Sequence, residues 1–180
     1  YRAGMGISTR AAGWAAALVL TFVLEGCNSS ASIEPTELTD EQAYALAKET
    51  YRQYLEVFAS LTHNPNQPSD LLATVVSGEA LAAEIEGYEQ FQGRGSSLVG
   101  SPTLRSVQAL GLTRVSRDLA DVQLAICLDY SRVEQVGADG KRRALRPDSP
   151  LVSKSVTVRV DSERGNFLTH TKNGGTYCAN

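Results

Sequence analysis

Three cysteines, Cys27, Cys127 and Cys178, carry the most readable chemistry of this sequence. Cys27 follows an uncharged apolar run, Ala11–Leu24, which stands behind Arg10 in the layout of a secretory signal. Export to an oxidising compartment leaves Cys127 and Cys178 as an even pair, 51 positions apart. We therefore expect a disulfide between them, with two buried free thiols as the alternative.

The sequence offers no recognisable metal or phosphate chemistry. It contains no CxxC or HExxH spacing, and its two histidines, His63 and His170, lie far apart in the chain. Glycine-rich phosphate loops, nucleophile elbows and calcium loops are also absent from the sequence. We accordingly predict no metal and no cofactor.

The residues around Cys27 predict a lipid anchor. The sequence Leu24-Glu25-Gly26-Cys27 resembles the bacterial lipobox, which implies cleavage before Cys27 and acylation of its sulfur. Residues 1–26 are then the signal peptide, with Met5 as the true start and residues 1–4 upstream of it. Residues 27–38 form a lipidated cysteine and flexible tether, and residues 39–180 form a single domain. The expected location is the extracytoplasmic face of the cell membrane.

The amino-acid composition and net charge indicate an ordinary globular domain and argue against some classes of partner. The chain has 180 residues, of which 42% are hydrophobic and 21% charged, which suits an ordinary globular domain. A formal net charge of −3 argues against a general nucleic-acid partner, because neutralising phosphates needs a basic surface. The basic run Lys141-Arg142-Arg143, with Arg146, is interpreted as part of a solvated polar loop from Gly137 to Pro150, with contact to anionic lipid or polymer as the alternative.

Hydrophobic periodicity predicts helices first and strands afterwards. A capping box, Thr39 to Gln42, opens a helix running to about Leu61. A short helix capped by Ser69 or Asp70 and a third helix over 79–92 follow. Alternating residues then predict strands, which occupy 104–115, 121–130 and about 155–160, with a fourth over 167–171 and 176–178. This order indicates an α+β fold, with N-terminal helices packed on a curved four-stranded antiparallel sheet.

The order of elements resembles the nuclear transport factor 2-like, or cystatin-like, cone-shaped superfamily. More closely, the mature chain resembles small secreted lipoproteins of actinobacteria. The shared elements are Cys127-Leu128-Asp129-Tyr130-Ser131, a charged turn at Ala138-Asp139-Gly140, and a C-terminal Gly174-Gly175-Thr176-Tyr177-Cys178. The disulfide would then hold the last strand on the sheet.

Function is expected to be binding rather than catalysis. The resemblance implies that a catalytic member would place Tyr51 or Tyr54 with Asp129 and His170 inside the cone, where burial shifts pKa values. We interpret these four as satisfied or solvated polar residues, with Asp129 bonded to turn amides or to Arg159. The expected partner is a small apolar ligand or an envelope protein. The alternatives are a cone-fold isomerase or dehydratase acting on a small hydrophobic molecule, and an envelope exclusion lipoprotein of phage or prophage type.

Overall fold

The first helix begins where its capping box predicts. In this computed structural model, which describes residues 37–146 and 148–178, α1 spans Asp40–His63. The Thr39 hydroxyl accepts the Gln42 N–H at 3.2 Å, and the Gln42 side chain accepts the Thr39 N–H at 2.9 Å. Both bonds satisfy amides that the first helical turn leaves without partners. The predicted signal peptide, Cys27 and most of the tether lie outside the described residues.

Two further helical segments follow α1. A 3₁₀-helix spans Ser69–Thr74 and α2 spans Gly78–Gly93. The expected cap from Ser69 or Asp70 is wrong: Pro68 occupies the N-cap position, and no side chain caps this short helix. The predicted end of α2 is confirmed, because Gly95 has a φ of 61° and its N–H donates to the Gln92 carbonyl at 2.8 Å.

Within the described residues, seven strands form two antiparallel sheets. The strands are β1 (Ser97–Val99), β2 (Thr103–Arg114), β3 (Leu119–Asp129), β4 (Glu134–Val136), β5 (Arg142–Ala144), β6 (Leu151–Asp161) and β7 (Phe167–Asn173). The larger sheet has the order β2-β3-β6-β7, and the smaller has the order β1-β4-β5. Register shifts in the β2–β3 and β6–β7 pairs are sites where strands bend.

The helices cover one face of the larger sheet, which we call the helix-covered face. Every second residue of β3 and most of those of β6 point to it and are buried, namely Val122, Leu124, Ile126, Leu128, Val152, Val156, Val158 and Val160. Ala43, Ala47 and Tyr51 of α1 pack in the same core. The predicted α+β class, with helices packed on a curved four-stranded antiparallel sheet, is thereby confirmed.

The smaller sheet was not expected from the sequence. The segment interpreted as a polar loop contains β5, whose three residues pair with β4 and are all exposed. Its basic side chains have acidic neighbours: Arg142 lies 3.6 Å from Glu134, and Lys141 lies 3.6 Å from Asp139. The basic run is therefore solvent-exposed and partly neutralised.

A disulfide joins Cys127 of β3 to Cys178, with their Cα atoms 5.0 Å apart. Cys127 lies on the face of the sheet away from the helices, so the bond fastens the C-terminal segment there. The predicted strand over 176–178 is wrong. Gly174 and Gly175 adopt φ values of 118° and 100°, which break the extended backbone, and a turn follows.

Candidate functional site: a tyrosine-lined cavity

A cavity of about 320 Å³ lies between the two helices and the helix-covered face of the sheet. Its walls combine aromatic and aliphatic side chains with a few polar groups. The lining residues are Tyr51, Tyr54, Leu55, Phe58, Thr62, Glu84, Gly87, Tyr88, Phe91, Arg94, Leu98, Leu128, Tyr130, Leu145 and Lys154. This volume lies at the lower end of the range for small-molecule sites, and mostly apolar walls with a few polar groups are typical of them.

Helix α1 supplies one wall as a ladder of rings. Tyr51, Tyr54 and Phe58 follow at spacings of three and four, so they share one face of the helix. The Tyr51 and Tyr54 ring centroids lie 5.7 Å apart, and those of Tyr54 and Phe58 lie 6.1 Å apart. Such tilted neighbours support one another's positions. The wall is therefore held by the helix itself.

Tyr51 is fully buried, with 0% of its surface exposed. Its hydroxyl has no hydrogen-bond partner among the described residues, so the interpretation of Tyr51 as a satisfied or solvated polar residue is wrong. Burial raises its pKa above the ordinary value of 10.0, and the nearby Tyr130 and Glu84 add to that rise. Tyr54 behaves in the same way: burial raises its pKa well above the ordinary value, and the negative charge of Glu84 adds to it. Both phenols therefore stay protonated donors at neutral pH.

Lys154 is an inward-facing cation on β6. It stands between Val152 and Val156 in the alternation that points to the helix-covered face, and it pairs in register with Ile126. Desolvation lowers its pKa, an effect that Glu84 opposes and Arg146 reinforces. Lys154 was not predicted as a site residue, although its place among four valines that alternate toward the helix-covered face is a signal in the sequence.

Glu84 of α2 lines the same cavity as Lys154. It lies one helical turn from both Ala80 and Tyr88, which are buried, so it sits on the inward face of the helix. Among the residues that the structure describes, neither Glu84 nor Lys154 has an ion-pair partner within 4.0 Å. The two opposite charges thus line the cavity without closing on each other.

A shallow groove of about 380 Å³ adjoins the cavity. Phe58, Leu98, Tyr130 and Leu145 line both spaces, so the cavity and the groove share a wall. The Arg146 guanidinium lies over the Tyr130 ring, 5.8 Å from its centroid, in a cation–π arrangement. The groove therefore adds apolar surface and a cation beside the cavity.

Asp129 and His170, the other two residues predicted for a catalytic cone, lie away from the cavity. Asp129 shares the opposite face of β3 with Cys127, where its carboxylate accepts the Ser131 N–H at 2.8 Å and lies 3.7 Å from Arg105. The Ser131 hydrogen bonds lower its pKa, with a smaller contribution from Arg105. The expected bond to a turn amide is confirmed, whereas the alternative contact with Arg159 is wrong.

Arg159 instead binds Asp121, donating to both carboxylate oxygens at 2.9 Å. These two residues are directly opposite each other on β6 and β3. This ion pair lies on the same exposed face as Asp129, outside the cavity. It belongs to the surface of the sheet and takes no part in the site.

His170 is turned outward by a β-bulge. Simple alternation along β7 predicts that His170 shares the face of Leu168. In the structure Val158 pairs with Leu168 and Thr157 pairs with His170, so Thr169 is an extra, unpaired residue in β7. After this bulge, the residues of β7 point to the opposite faces from those that simple alternation predicts. Leu168 is consequently buried and His170 exposed.

The described residues show neither a metal cluster nor a membrane-crossing helix. Within 37–146 and 148–178, no group of three or more histidine, cysteine, aspartate or glutamate residues is placed to hold a metal ion. None of the helices in this part of the chain combines the length and apolarity that crossing a membrane requires. The predicted apolar leader lies outside it.

Comparison with known proteins adds only the fold. No protein-family model matches the chain, and no curated protein matches it. It is similar to the crystal structure of the intermembrane space region of chloroplast protein ARC6, with a TM-score of 0.50 and 14% identity over 72% of this chain and 95% of that one. An NMR structure of a de novo β-sheet design is also matched, with a TM-score of 0.31 and 14% identity over 74% and 90% of the two chains. Identity this low transfers no activity.

Proposed function

We propose that the domain is a noncatalytic binding module that takes a small, mainly apolar ligand into the cavity between its helices and sheet. The observation that carries this proposal is the fully buried Tyr51 hydroxyl, which has no hydrogen-bond partner among the described residues and belongs to a side chain that lines the cavity. Leaving a buried hydroxyl without a hydrogen bond costs free energy. A ligand atom that accepts a hydrogen bond from this hydroxyl would recover that cost. The arrangement suits recognition of an apolar molecule with a polar end.

Blocking the cavity tests this function. Gly87 lines the cavity on α2, and an added Cβ there meets no atom within 4 Å, so Gly87→Phe is designed to place a ring over the cavity. Gly93→Phe is the matched control, because an added Cβ at Gly93, the last residue of α2, also meets no atom within 4 Å but Gly93 does not line the cavity. Decanol, followed by amide chemical shifts of the full chain, should bind the parent and Gly93→Phe but not Gly87→Phe. Equal binding by both variants would contradict the proposed site.

We propose in addition that the chain is a lipoprotein attached through Cys27 to the extracytoplasmic face of the cell membrane. The sequence Leu24-Glu25-Gly26-Cys27 and the apolar run before it support this location, and the Cys127–Cys178 disulfide suits an oxidising compartment. Labelled palmitate should be incorporated by the parent and not by Cys27→Ala. Labelling that survives in Cys27→Ala would overturn the anchor.

A cone-fold enzyme is the second candidate, and the observation that favours it is Lys154. A desolvated lysine with a lowered pKa beside a carboxylate is a recurrent feature of active sites. Asp129 and His170 supply no support, since both lie on the far side of the sheet. An enzyme would lose turnover of a small hydrophobic substrate in Lys154→Met while still binding it. A binding module would show no turnover with either chain.

A further inference from the structure

The charged groups of the cavity and its adjoining groove are unbalanced. Arg94, Lys154 and Arg146 contribute three cationic side chains, whereas Glu84 contributes the single carboxylate. None of these four has an ion-pair partner within 4.0 Å in the described part of the chain. The space therefore carries excess positive charge beside low-dielectric aromatic walls, where charge interactions are stronger than in water.

The neutral polar groups of the cavity also favour an anionic ligand, because they supply hydrogen-bond donors. Tyr51, Tyr54 and Tyr130 line the cavity, and burial raises the pKa of each, which keeps their phenols protonated. The Tyr54 phenol is hydrogen-bonded to Glu84, which leaves Tyr51 and Tyr130 as the donors for a ligand. Tyr88 is already engaged, because its hydroxyl bonds the Gln67 carbonyl at 3.0 Å. Donors thus exceed acceptors, and the matching ligand group is one that only accepts hydrogen bonds.

We propose that the ligand is an amphiphilic carboxylate, with its anionic head at Lys154 and its apolar body along Phe58 and Phe91. An ionised carboxylate accepts hydrogen bonds at two oxygens and neutralises one positive charge. It therefore matches both the excess of hydrogen-bond donors and the excess of positive charge in the cavity. The inference rests on the proposed binding function and specifies the chemistry of its ligand.

Two neutralising substitutions should act in opposite directions. Lys154→Met keeps the length of the side chain and removes its charge, so binding of decanoate should weaken about tenfold or more, as loss of a charge-assisted hydrogen bond does. Glu84→Gln removes the one negative charge and should tighten decanoate binding several-fold. Lys172→Met is the matched control, because Lys172 is exposed on β7 after the bulge and lies outside the cavity. Decanamide, which has the same chain and no charge, should respond little to any of the three.

The measurement is a titration of the full chain, with its disulfide intact, with decanoate and with decanamide at pH 7.5. Tighter binding in Glu84→Gln separates the proposal from a folding defect, since a defect weakens binding in both variants. If decanamide binds the parent as tightly as decanoate, or Lys154→Met weakens both ligands equally, the carboxylate is wrong while the binding function stands. If neither compound binds, the proposed function fails and this inference fails with it.

Discussion

Removing one oxygen from the core should make this protein more stable. The Tyr51 hydroxyl is buried without a partner among the described residues, and the rest of its side chain is in the apolar core. Tyr51→Phe keeps the ring, its contact with Tyr54 and the volume of the core within one atom. The variant therefore removes the cost of an unbonded polar group and little else.

The size of the effect follows from the burial of that group. A buried polar group without a hydrogen bond costs about 1–3 kcal/mol, so Tyr51→Phe should raise the free energy of unfolding by about that amount. For a domain of this size, each kcal/mol corresponds to a rise in Tm of roughly 3 °C. The same substitution should weaken binding of an acceptor ligand, since it deletes a donor from the cavity wall.

Tyr88→Phe is the control because Tyr88 is also a buried tyrosine of the cavity wall, but its hydroxyl is hydrogen-bonded. Only 4% of Tyr88 is exposed, and its hydroxyl bonds the Gln67 carbonyl at 3.0 Å and the Gln92 amide at 3.0 Å. Its removal deletes both bonds, although the Gln92 amide still donates to the Gln67 carbonyl at 3.2 Å, and should lower the free energy of unfolding by about 1–2 kcal/mol. Urea denaturation at pH 7 compares the two variants. A Tyr51→Phe protein as destabilised as Tyr88→Phe would refute the reasoning, because it would show that the Tyr51 hydroxyl is bonded.

Alkaline pH gives a second readout for Tyr51. Its pKa in the folded protein is raised above 10.0, so as the pH climbs past 10 the unfolded chain loses this proton while the folded chain keeps it. The unfolded state then binds fewer protons, and stability falls with pH by up to about 1.4 kcal/mol per pH unit from this one group. Tyr51→Phe should remove that slope, whereas an unchanged slope above pH 10 would contradict the assigned shift.

Three further predictions concern stability. Replacing both Cys127 and Cys178 with alanine opens a loop of 51 residues and should lower the free energy of unfolding by about 4 kcal/mol; a loss below about 1 kcal/mol in urea denaturation would contradict this. The pKa of Lys154 is lowered in the folded protein, so between that pKa and 10.5 the unfolded state binds more protons than the folded state. The free energy of unfolding should therefore rise with pH in the parent relative to Lys154→Met. Parallel pH profiles of the two proteins would contradict the desolvation of Lys154. Thr39→Ala removes the capping box and should cost about 1 kcal/mol, whereas Thr39→Ser should preserve stability.

Local rules were sufficient where a segment is long and regular. The Thr39 capping box and the spacing of three and four through Tyr51 and Tyr54 predict α1, because a helix repeats the same contacts at every turn. Alternation through β3 predicts both the strand and its buried face. Regular patterns that continue over a long segment depend only on residues close in the chain, so they can be identified from the sequence alone.

The three-residue strands, and the bulge that changes which face of the sheet a residue points to, could not be predicted from local patterns. β1, β4 and β5 have three residues each, too few to show an alternation, and their pairing is set by tertiary contacts. The bulge at Thr169 reverses the face of His170, and nothing in the local composition marks it. Both failures arise where long-range strand pairing overrides the local pattern.

The polar groups of the cavity argue for a selected function on physical grounds. Lys154 and Glu84 each stand at a position where the fold accepts an apolar side chain, Lys154 in a row of valines and Glu84 one turn from Ala80 and Tyr88. Each is half-buried and has no ion-pair partner within 4.0 Å in the described part of the chain, and a hydrophobic residue of similar size would serve folding better. Departures from local consistency of this kind concentrate at functional sites, where stability is exchanged for binding. Because three such departures, Tyr51 included, converge on one cavity, the proposed ligand recognition would explain them together, whereas core packing leaves each of them as a separate defect.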